Sequence, residues 1–389
     1  MDKIEAVILD ETFEPIAVID TYKSFIWTDR YDEYGDFEIR IPIKESIPKN
    51  IKKGYYLWNK HSEHVMIIET INIDSDYEEG AYLIITGRSL ESILKRRIVW
   101  HKKIFTADDN GDLPNLQNGI KELFHMNVNE IPELVIEDDP KAIVDVRKIP
   151  NLIFEDSTDE KITSLKFSSE AQYLGEEIYE VVSKLCKENE IGFKLTLNDS
   201  KQLVFKLYAG VDRSYNQTDN TYVVFSPKYN NIVNTNYLDS DAALKNVTLV
   251  VGKTEYDNDG NEISRLQNVV GSAATGLERR EVFTDALSMT SDDGYGGTLS
   301  AEQYEAQLKQ KGIDTLIENT TITAFDGEVD SSQIFVYGED YFIGDIVQLA
   351  NEYGQEGTAY ISEFIISCDQ NGVSTYPTFN SIQKGVYET

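Results

Sequence analysis

The N-terminal part of the chain carries a strict alternation of apolar and polar residues. Over positions 36–43 the apolar members all fall on one side of the alternation, and they are Phe37, Ile39, Ile41 and Ile43. A period of two with one apolar face predicts a half-buried β-strand. Gly35, directly before it, favours a tight turn, because glycine tolerates a positive φ. Residues 25–27 are therefore predicted to form the preceding strand of a hairpin.

The first hundred residues continue in the same manner. Further strands are predicted within 4–20 and over 54–58, 64–73 and 81–87. Leu90, Ile93 and Leu94 then fall at helical spacing, and the basic residues that follow them suit the last turn of a helix. This order predicts a small antiparallel β-barrel or sandwich that one short helix closes.

The middle of the chain, from residue 106, mixes helix and strand patterns. A helix is predicted over 116–126, and strands are predicted over 191–197 and 202–208. Between them Ser169 and Gln172 have the spacing of a capping box, which predicts a helix that starts there and runs past Leu185. Glu180 and Lys184 have the i,i+4 spacing of an ion pair on that helix. The middle block is therefore predicted to be α+β.

A second β-rich region begins at residue 208. Its strands are predicted over 222–226, 247–251, 333–337, 345–349, 359–366 and 373–379. A loop-rich insertion interrupts it from residue 254. A second capping box, at Ser300 and Gln303, predicts a helix to about Asn319 with Gly312 as a weak point. Glycine-led strands at 54–58 and 344–348 match, as do residues 67–71 and 361–365, and two such matches of a faint internal repeat leave a duplication open.

The chain of 389 residues is strongly acidic, with 68 Asp and Glu against 36 Lys and Arg and a net charge of -32. This charge argues against a surface that binds nucleic acid or anionic lipid, because both need clustered Lys and Arg. It favours solubility, and an acidic surface that faces DNA repels it. Cys186 and Cys368 are predicted to be free, buried thiols. No signal-peptide pattern and no run of membrane-span length is found, so we expect synthesis in a cytosol.

Candidate chemistry is sparse. His61 and His64 are spaced i,i+3, whereas a zinc-binding helix needs i,i+4, so a polar hairpin is favoured over a metal site. Residues 255–260 start like a calcium loop, but its twelfth position is Leu266. Residues 252–254 resemble the end of a phosphate-binding loop without its upstream glycine. We expect no catalytic residue, no metal and no cofactor, although so many carboxylates can place two at glycosidase distance by chance.

Several motifs, taken in order, resemble the N-terminal part of the tail-hub proteins of long-tailed siphophages and prophages, also called tail-associated or baseplate-hub proteins. The motifs lie at 27–38, 87–97, 210–217, 223–226, 276–286 and 340–347. The signature positions among them are Trp27, Arg30, Tyr31, Gly35, Phe37, Gly87, Arg88, Leu90, Asp212, Arg213, Ser214, Arg279, Arg280, Glu281, Asp340, Tyr341, Gly344 and Asp345. Many family members continue into a C-terminal enzymatic or sugar-binding module. The likeness here runs to Thr389 without one, so those activities lie on other proteins or the sequence is a truncated hub.

The resemblance implies a mainly β, α+β chain with two tube-type antiparallel β-barrel domains and inserted α+β domains. Residues 1–104 would form the first barrel and 105–207 an α+β domain. Residues 208–253 and 325–389 would form the second, discontinuous barrel, and 254–324 an insertion with a loop and a helix. Three copies would then place six similar barrels around a central channel.

The resemblance also implies a structural, non-enzymatic role at the tail tip of the virion. A homotrimeric ring would connect the tail tube protein or distal tail protein to the tip or fibre and give DNA a passage. The tape measure protein and the tail fibre or receptor-binding proteins are further implied partners, and no membrane anchor is expected. Two other functions stay open. One is a cell-wall hydrolase that cleaves peptidoglycan or glycan with a carboxylate pair, and the other is a sugar-binding adhesin module with aromatics such as Tyr55, Tyr56 and Trp58.

Overall fold

The structure is a computed structural model that describes residues 4–43, 50–76, 80–100, 102–108, 110–129, 148–168, 170–256, 262–287, 289, 300–329, 334–370 and 372–381. Strands dominate the described part and helices form a smaller share, so the predicted mainly β, α+β fold class is confirmed. Ser169 and residues 257–260 of the predicted acidic turn lie outside the described residues.

The strands are short at the start of the chain, and the longest, β20, lies near the C-terminus. They are β1 (Ala6–Leu9), β2 (Pro15–Ile19), β3 (Ser24–Arg30), β4 (Asp36–Pro42), β5 (Tyr56–Trp58), β6 (Met66–Asp76), β7 (Gly80–Ser89), β8 (Lys103–Phe105), β9 (Leu152–Glu155), β10 (Ala171–Tyr173), β11 (Gly192–Leu197), β12 (Leu203–Tyr208), β13 (Val224–Phe225), β14 (Ile232–Ser240), β15 (Val247–Tyr256), β16 (Glu262–Gly271), β17 (Glu281–Asp285), β18 (Ile322–Val329), β19 (Ile346–Ala350), β20 (Glu356–Asp369) and β21 (Gly372–Ser381).

Helices connect and cover these strands. They are α1 (Leu116–Phe124), α2 (Glu160–Thr163), α3 (Ile178–Glu188) and α4 (Ala301–Ile317), with 3₁₀ helices at Leu90–Arg96, Pro227–Tyr229 and Gly276–Glu278 and a π-helical turn at His125–Asn129. The predicted helix over 116–126 is confirmed, and so is the capping box of α4, in which Ser300 and Gln303 each accept a backbone hydrogen bond from the other. Among helices in the described ranges, none combines the length and the apolar character that crossing a membrane requires.

One eleven-stranded sheet joins the two ends of the chain. Its order is β13-β19-β20-β3-β4-β7-β6-β5-β1-β2, and β21 pairs with β20. The strands from the N-terminal and C-terminal parts meet where β3 pairs antiparallel with β20, with Trp27 opposite Ile366. The predicted hairpin of β3 and β4 is confirmed, with Trp27 opposite Phe37. The apolar side of β4 and the inward residues of β19 and β20 bury themselves in one shared core.

The middle region has its own core beside this sheet. Strands β11, β12 and β9 form a three-stranded sheet, and α1 and α3 pack against it. Phe124, Phe193 and Phe205 are buried in contact with one another or with Phe154. This core also takes in the 3₁₀ helix at Leu90–Arg96, so the middle region is seated on the first β region.

The helix that the sequence predicts from Ser169 begins later, at Ile178, so that prediction is wrong in its start and its cap. Residues Ala171–Tyr173 instead pair as β10 with β8, and Gly175 at φ +90° turns the chain before the helix. The predicted ion pair on this helix is also wrong. Glu180 binds Lys95 at 2.8 Å, whereas Lys184 lies 3.6 Å from both Glu188 and Asp314.

The insertion forms a separate small sheet under α4. Strands β16, β15 and β17 pair in that order, and their inner face carries Val250 and Val270 against the helix. Gly312 is required there, since a Cβ on it would lie 2.7 Å from Val250 Cγ2. Strand β15 includes residues 247–253, which the sequence alone groups with the second barrel.

The strand predicted over 333–337 is wrong for the residues that the structure describes. Tyr337 makes an isolated bridge to Tyr341, and residues 334–336 are in no strand. A tight turn forms here in place of a strand, because Val336 N donates to Asp340 Oδ2 at 2.7 Å and Gly338 adopts φ +85°. The strand in this part of the chain lies earlier, as β18, which pairs with β14.

Candidate functional site

Tyr31, at the end of β3, lies where three regions of the chain meet. Its hydroxyl donates to the Glu190 carbonyl at 3.2 Å and accepts from Gly210 N at 3.0 Å. Its backbone N donates to the Ser362 carbonyl at 2.9 Å, and its own carbonyl accepts from Phe193 N at 3.1 Å. The ring is fully buried. One side chain and its peptide groups therefore join the first β region, the middle region and the C-terminal strands.

Three glycines allow the chain to close around that ring. A Cβ on Gly344 would lie 2.2 Å from Tyr31 Cε2, and one on Gly192 would lie 2.4 Å from the same ring. A Cβ on Gly210 would lie 1.8 Å from the Gly344 carbonyl oxygen. Gly344 also adopts φ +90°, which residues with a side chain rarely take. At this site, the backbone of each glycine lies closer to the aromatic ring or to another backbone segment than a residue with a side chain would permit.

Asp345 follows Gly344 in the same turn, and its side chain holds residues 211–213 in place. Its carboxylate accepts from Val211 N at 2.7 Å, from Arg213 Nε at 2.7 Å and from Phe342 N at 3.1 Å. The carboxylate is buried and Arg213 nearly so. Arg213 N in turn donates to the Ile346 carbonyl at 2.7 Å. A buried charge with a paired guanidinium and two amide donors is fully satisfied, so it specifies how residues 211–213 sit on β19.

A second set of signature residues fixes β3, β4 and β7 to their neighbours. Arg30 reaches Asp36 and Glu363 at 2.5 Å each and so bridges β4 and β20. Arg88 holds Glu69 with two hydrogen bonds of 2.7 and 2.9 Å. Gly35 N donates to Ser89 Oγ at 2.8 Å, and a Cβ on Gly87 would lie 1.7 Å from the Ile67 carbonyl oxygen. These contacts are structural, because each charge is already paired within the chain.

Three ionisable side chains, Asp29, His64 and Glu91, form a buried cluster under this set. His64 Nδ1 lies 2.9 Å from Glu91 Oε1, which also accepts from Leu195 N at 2.7 Å. Trp27 Nε1 donates to Asp29 Oδ1 at 2.9 Å. Burial raises the pKa of Asp29. Burial lowers the pKa of His64, but the carboxylates of Glu91 and Asp29 outweigh it and raise that pKa to about 9.

The sequence groups His61 with His64, and the structure gives His64 a different partner. His64 is bound to Glu91, and among the residues that the structure describes no group of three His, Cys, Asp or Glu is arranged to hold a metal ion. Burial by itself would raise the pKa of Glu91, yet the charge on His64 holds that pKa below its ordinary value. The cluster is thus an internal ion pair that ties the first β region to β11 through Leu195.

The remaining signature positions divide between core and surface. Trp27, Phe37, Leu90 and Tyr341 are buried core residues, and Ser214 is buried beside Asp212, whose Oδ1 accepts its backbone N at 2.8 Å. Asp340 caps the turn before β19. Arg279 and Glu281 pair with each other on the insertion, and Arg280 pairs with Asp241. The structure brings Tyr31, Arg213, Gly344 and Asp345 together, and Arg279, Arg280 and Glu281 lie on a different unit.

A cleft of about 450 Å³ opens between α3 and α4. Six of its eighteen lining residues are acidic, and Lys184 lies 3.6 Å from both Glu188 and Asp314. Burial raises the pKa of Glu188. One ammonium group therefore faces both of these carboxylates.

Sequence reasoning missed several residues of this site. Gly192, Tyr208 and Glu363 contact signature positions, and no local pattern identifies them as partners of residues so distant in the chain. Asp29 and Glu91 belong to the buried cluster with His64, and one signal was available for them, since Glu91 lies next to the apolar Leu90 and Asp29 lies within a predominantly buried strand. A charge in such a place needs a buried partner.

Comparisons with known proteins agree with this picture. Residues 5–379 match the family described as Siphovirus ReqiPepy6 Gp37-like protein. A search among curated protein sequences finds no match. The fold is similar to the 43 kDa tail protein of prophage MuSo2 from Shewanella oneidensis, at 13% identity and a TM-score of 0.54 over 97% of this chain and 98% of that one.

Two further solved structures share the fold over nearly their whole length. A tail protein from Neisseria meningitidis MC58 has 10% identity and a TM-score of 0.52, covering 99% of this chain and 98% of that one. The prophage tail protein gp18 from Listeria monocytogenes EGD-e has 14% identity and a TM-score of 0.50, covering 98% and 96%. The predicted resemblance to phage tail proteins is thereby confirmed. The chain belongs to the family described as Siphovirus ReqiPepy6 Gp37-like protein.

Proposed function

We propose that this chain is a non-enzymatic hub protein of the phage tail tip. Three copies form a ring that connects the tail tube or distal tail protein to the tip or fibre, and DNA passes through its channel. The observation that carries the proposal is the joining of N-terminal and C-terminal strands in one sheet, locked at Tyr31 and Asp345. A body joined in this way can keep the proteins that bind to it in fixed relative positions. The polar groups of its junction already have hydrogen-bond partners within the chain.

The domain division that the resemblance implies becomes part of this proposal. Residues 1–104 act as one tube-like barrel domain and 208–253 with 325–389 act as the other, except that β15, which begins at Val247, pairs within the small sheet of the insertion. Residues 105–207 and 254–324 are the insertions. The pairing of β3 with β20 then fixes one barrel domain against the other. In this reading the signature positions around Tyr31 set the angle between the two barrels, which a ring of six similar barrels needs to be constant.

The ends of the eleven-stranded sheet support assembly with neighbours. Strand β2 lies at one end, contains no charged residue and leaves Ile16 and Val18 exposed. An uncharged edge strand presents free N–H and C=O groups that another chain can pair with. The two ends of the sheet differ, since β13 lies at the other end. Unlike ends favour a head-to-tail contact, which closes into a ring when the rotation permits.

The charge supports the proposed passage of DNA. A net charge of -32 per chain repels phosphate groups, so DNA in transit does not adhere to the ring. The proposed partners are the distal tail protein or tail tube protein, the tape measure protein, and the tail fibre or receptor-binding proteins.

Light scattering with negative-stain imaging tests the proposal. The purified chain, alone and with the distal tail protein of the same phage, is expected to give three times the chain mass of 44.2 kDa and ring-shaped particles. A monomer under both conditions contradicts the ring. Turnover of peptidoglycan by the purified chain would support the hydrolase instead, and glycan binding by a monomer would support the adhesin.

A further inference from the structure

The small sheet of the insertion carries a row of apolar side chains on its open face. Leu249 on β15 lies opposite Val269 on β16 and opposite Phe283 on β17. Their exposed fractions are 38%, 66% and 58%. Single exposed apolar residues are ordinary, but a row that crosses three adjacent strands is a contiguous patch, and such patches mark contact sites. We call these three residues the insertion row.

The insertion row is not needed for the core of its own unit. Alternate residues of β15, Thr248 and Val250, are fully buried and face α4 with Gly312. Thr248 Oγ1 and Thr284 Oγ1 lie 2.7 Å apart on the same inner face. Because successive strand residues point to opposite faces, Leu249 and its partners face away from the helix. Polar residues could therefore replace the row without opening the core beneath it.

The loop before β17 carries a further exposed apolar residue and is held in place. Leu277 is 98% exposed at its tip, next to Gly276 at φ +60°. Asn246 fixes both sides of the loop, because its amide donates to the Glu278 carbonyl at 2.7 Å and its oxygen accepts from Arg280 N at 2.8 Å. A leucine held outward by an ordered loop remains available to another molecule.

The charge of the unit favours a second copy of the chain as the occupant. The described strands and loop that carry the row, residues 247–256 and 262–287, are nearly balanced in charge, with four Lys or Arg and five Asp or Glu, whereas the whole chain contains 36 against 68. Two copies of so acidic a protein repel each other over most of their surface. A basic partner would gain most by binding the acidic surfaces. A copy of the same chain approaches with least repulsion where the local charge is balanced.

We propose that the insertion row packs against a neighbouring copy of this chain in the assembled ring. The inference rests on the proposed trimer and names one of its contact surfaces. In a cyclic trimer the contact is heterologous, so the row of one copy meets a different surface of the next copy. The signature residues Arg279, Arg280 and Glu281 shape the loop that borders the row, which gives them a role in assembly.

A triple variant tests the inference. Leu249→Thr, Val269→Thr and Phe283→Thr keep residues that suit strands and remove most of the apolar surface. We expect the concentration at which the trimer dissociates to rise at least about a hundredfold, because each buried apolar contact of this kind changes affinity by about tenfold. Light scattering over a dilution series measures this, and circular dichroism verifies the fold.

The matched control replaces three apolar residues of similar exposure that are far apart in the sequence and are not paired with one another in a sheet. These are Ile73→Thr, Leu174→Thr and Val336→Thr, at positions exposed by 51%, 54% and 50%. The control is expected to dissociate like the wild type. A triple variant that is as trimeric as the control overturns the inference.

A labelling measurement keeps the test decisive if the triple variant does not fold. Cys186 and Cys368 are buried, so Val269→Cys introduces a thiol that a maleimide can reach selectively. We expect labelling at least about tenfold slower in the trimer than in the diluted monomer, and equal rates in both for Ile73→Cys. Equal rates at position 269 overturn the inference while leaving the ring intact. A wild-type chain that is monomeric at every concentration, both alone and with the distal tail protein, overturns the proposed ring and the inference with it.

Discussion

The junction around Tyr31 and the small sheet of the insertion both pack elements closely together, but they differ in what they leave exposed to solvent. Both depend on a glycine that lets two elements approach, Gly344 against Tyr31 and Gly312 against Val250. At the junction, Asp345 is enclosed by donors from its own chain. The insertion sheet buries only its inner face and leaves the insertion row in solvent.

The difference separates what holds the chain together from what the chain offers to others. At the junction the Tyr31 hydroxyl and the Asp345 carboxylate already have hydrogen-bond partners within the chain, so these polar groups are not available to a partner. A sheet that buries only one face can still gain free energy when a partner covers the apolar residues on its other face. We therefore expect variants at the junction to change the stability of the whole chain, and variants in the insertion to change local stability or assembly.

The largest effect is expected for Gly344→Ala. The new Cβ needs both a positive φ and space that the Tyr31 ring occupies, so the free energy of unfolding should fall by about 3–5 kcal/mol. Gly354→Ala is the matched control, since Gly354 has φ +86° with no atom within 4 Å of a Cβ. It should cost about 1–2 kcal/mol of backbone strain. Equal losses in urea unfolding of the two variants would contradict a tight junction.

The next effect is expected for Asp345→Ala. It removes the acceptor of two backbone amides and leaves the Arg213 guanidinium without its partner, so about 3 kcal/mol of unfolding free energy should be lost. Arg279→Ala is the comparison on the insertion, where the pair with Glu281 is exposed and contributes below about 1 kcal/mol. Chemical denaturation of both variants measures the contrast. A loss as small for Asp345→Ala as for Arg279→Ala would show that the junction is not cohesive.

A pH dependence should distinguish the first β region from the insertion. The pKa of His64 is raised from 6.5 to about 9 in the folded chain, so its contribution to stability is complete below pH 6.5 and is lost as the pH rises toward 9. We expect unfolding free energy to fall by about 1–3 kcal/mol between pH 6.5 and 9.

His64→Gln is the control for that pH dependence. It keeps a donor of similar size and removes the titration, so its stability should change less over the same interval. The residues facing His64 that carry charge are Glu91, Asp29 and Lys194, and the first two oppose the loss of its proton while Lys194 favours it. Urea unfolding at several pH values measures the effect, and identical profiles for variant and wild type would assign it elsewhere.

The smallest effect is expected for Ser300→Ala at the start of α4. Loss of the cap should cost about 1 kcal/mol, and the loss should remain within the insertion because its core is separate from that of the large sheet. Hydrogen exchange should speed up for the amides of α4 and leave those of β3 and β20 unchanged. Faster exchange in β3 as well would show that the two regions unfold as one unit.

The sequence by itself determined the elements whose pattern is local. The alternation after Gly35 predicts β4 and its buried side, and the spacing of Ser300 and Gln303 predicts the start of α4. Both hold because they depend on periodicity or on groups within one turn of helix. The same kind of signal failed at Ser169, because pairing of β10 with β8 satisfies that backbone before a helix can begin.

Only the tertiary structure decided which distant parts meet. Nothing local to Trp27 or Ile366 indicates that β3 and β20 pair, and nothing local to Asp29, His64 or Glu91 indicates that they share one buried site. Strand edges carry the same N–H and C=O groups wherever they occur, so side chains on both faces and close glycine contacts decide which edges join. Burial then fixes the partners of each charge, since an unpaired charge inside the protein costs more than any local preference can offset.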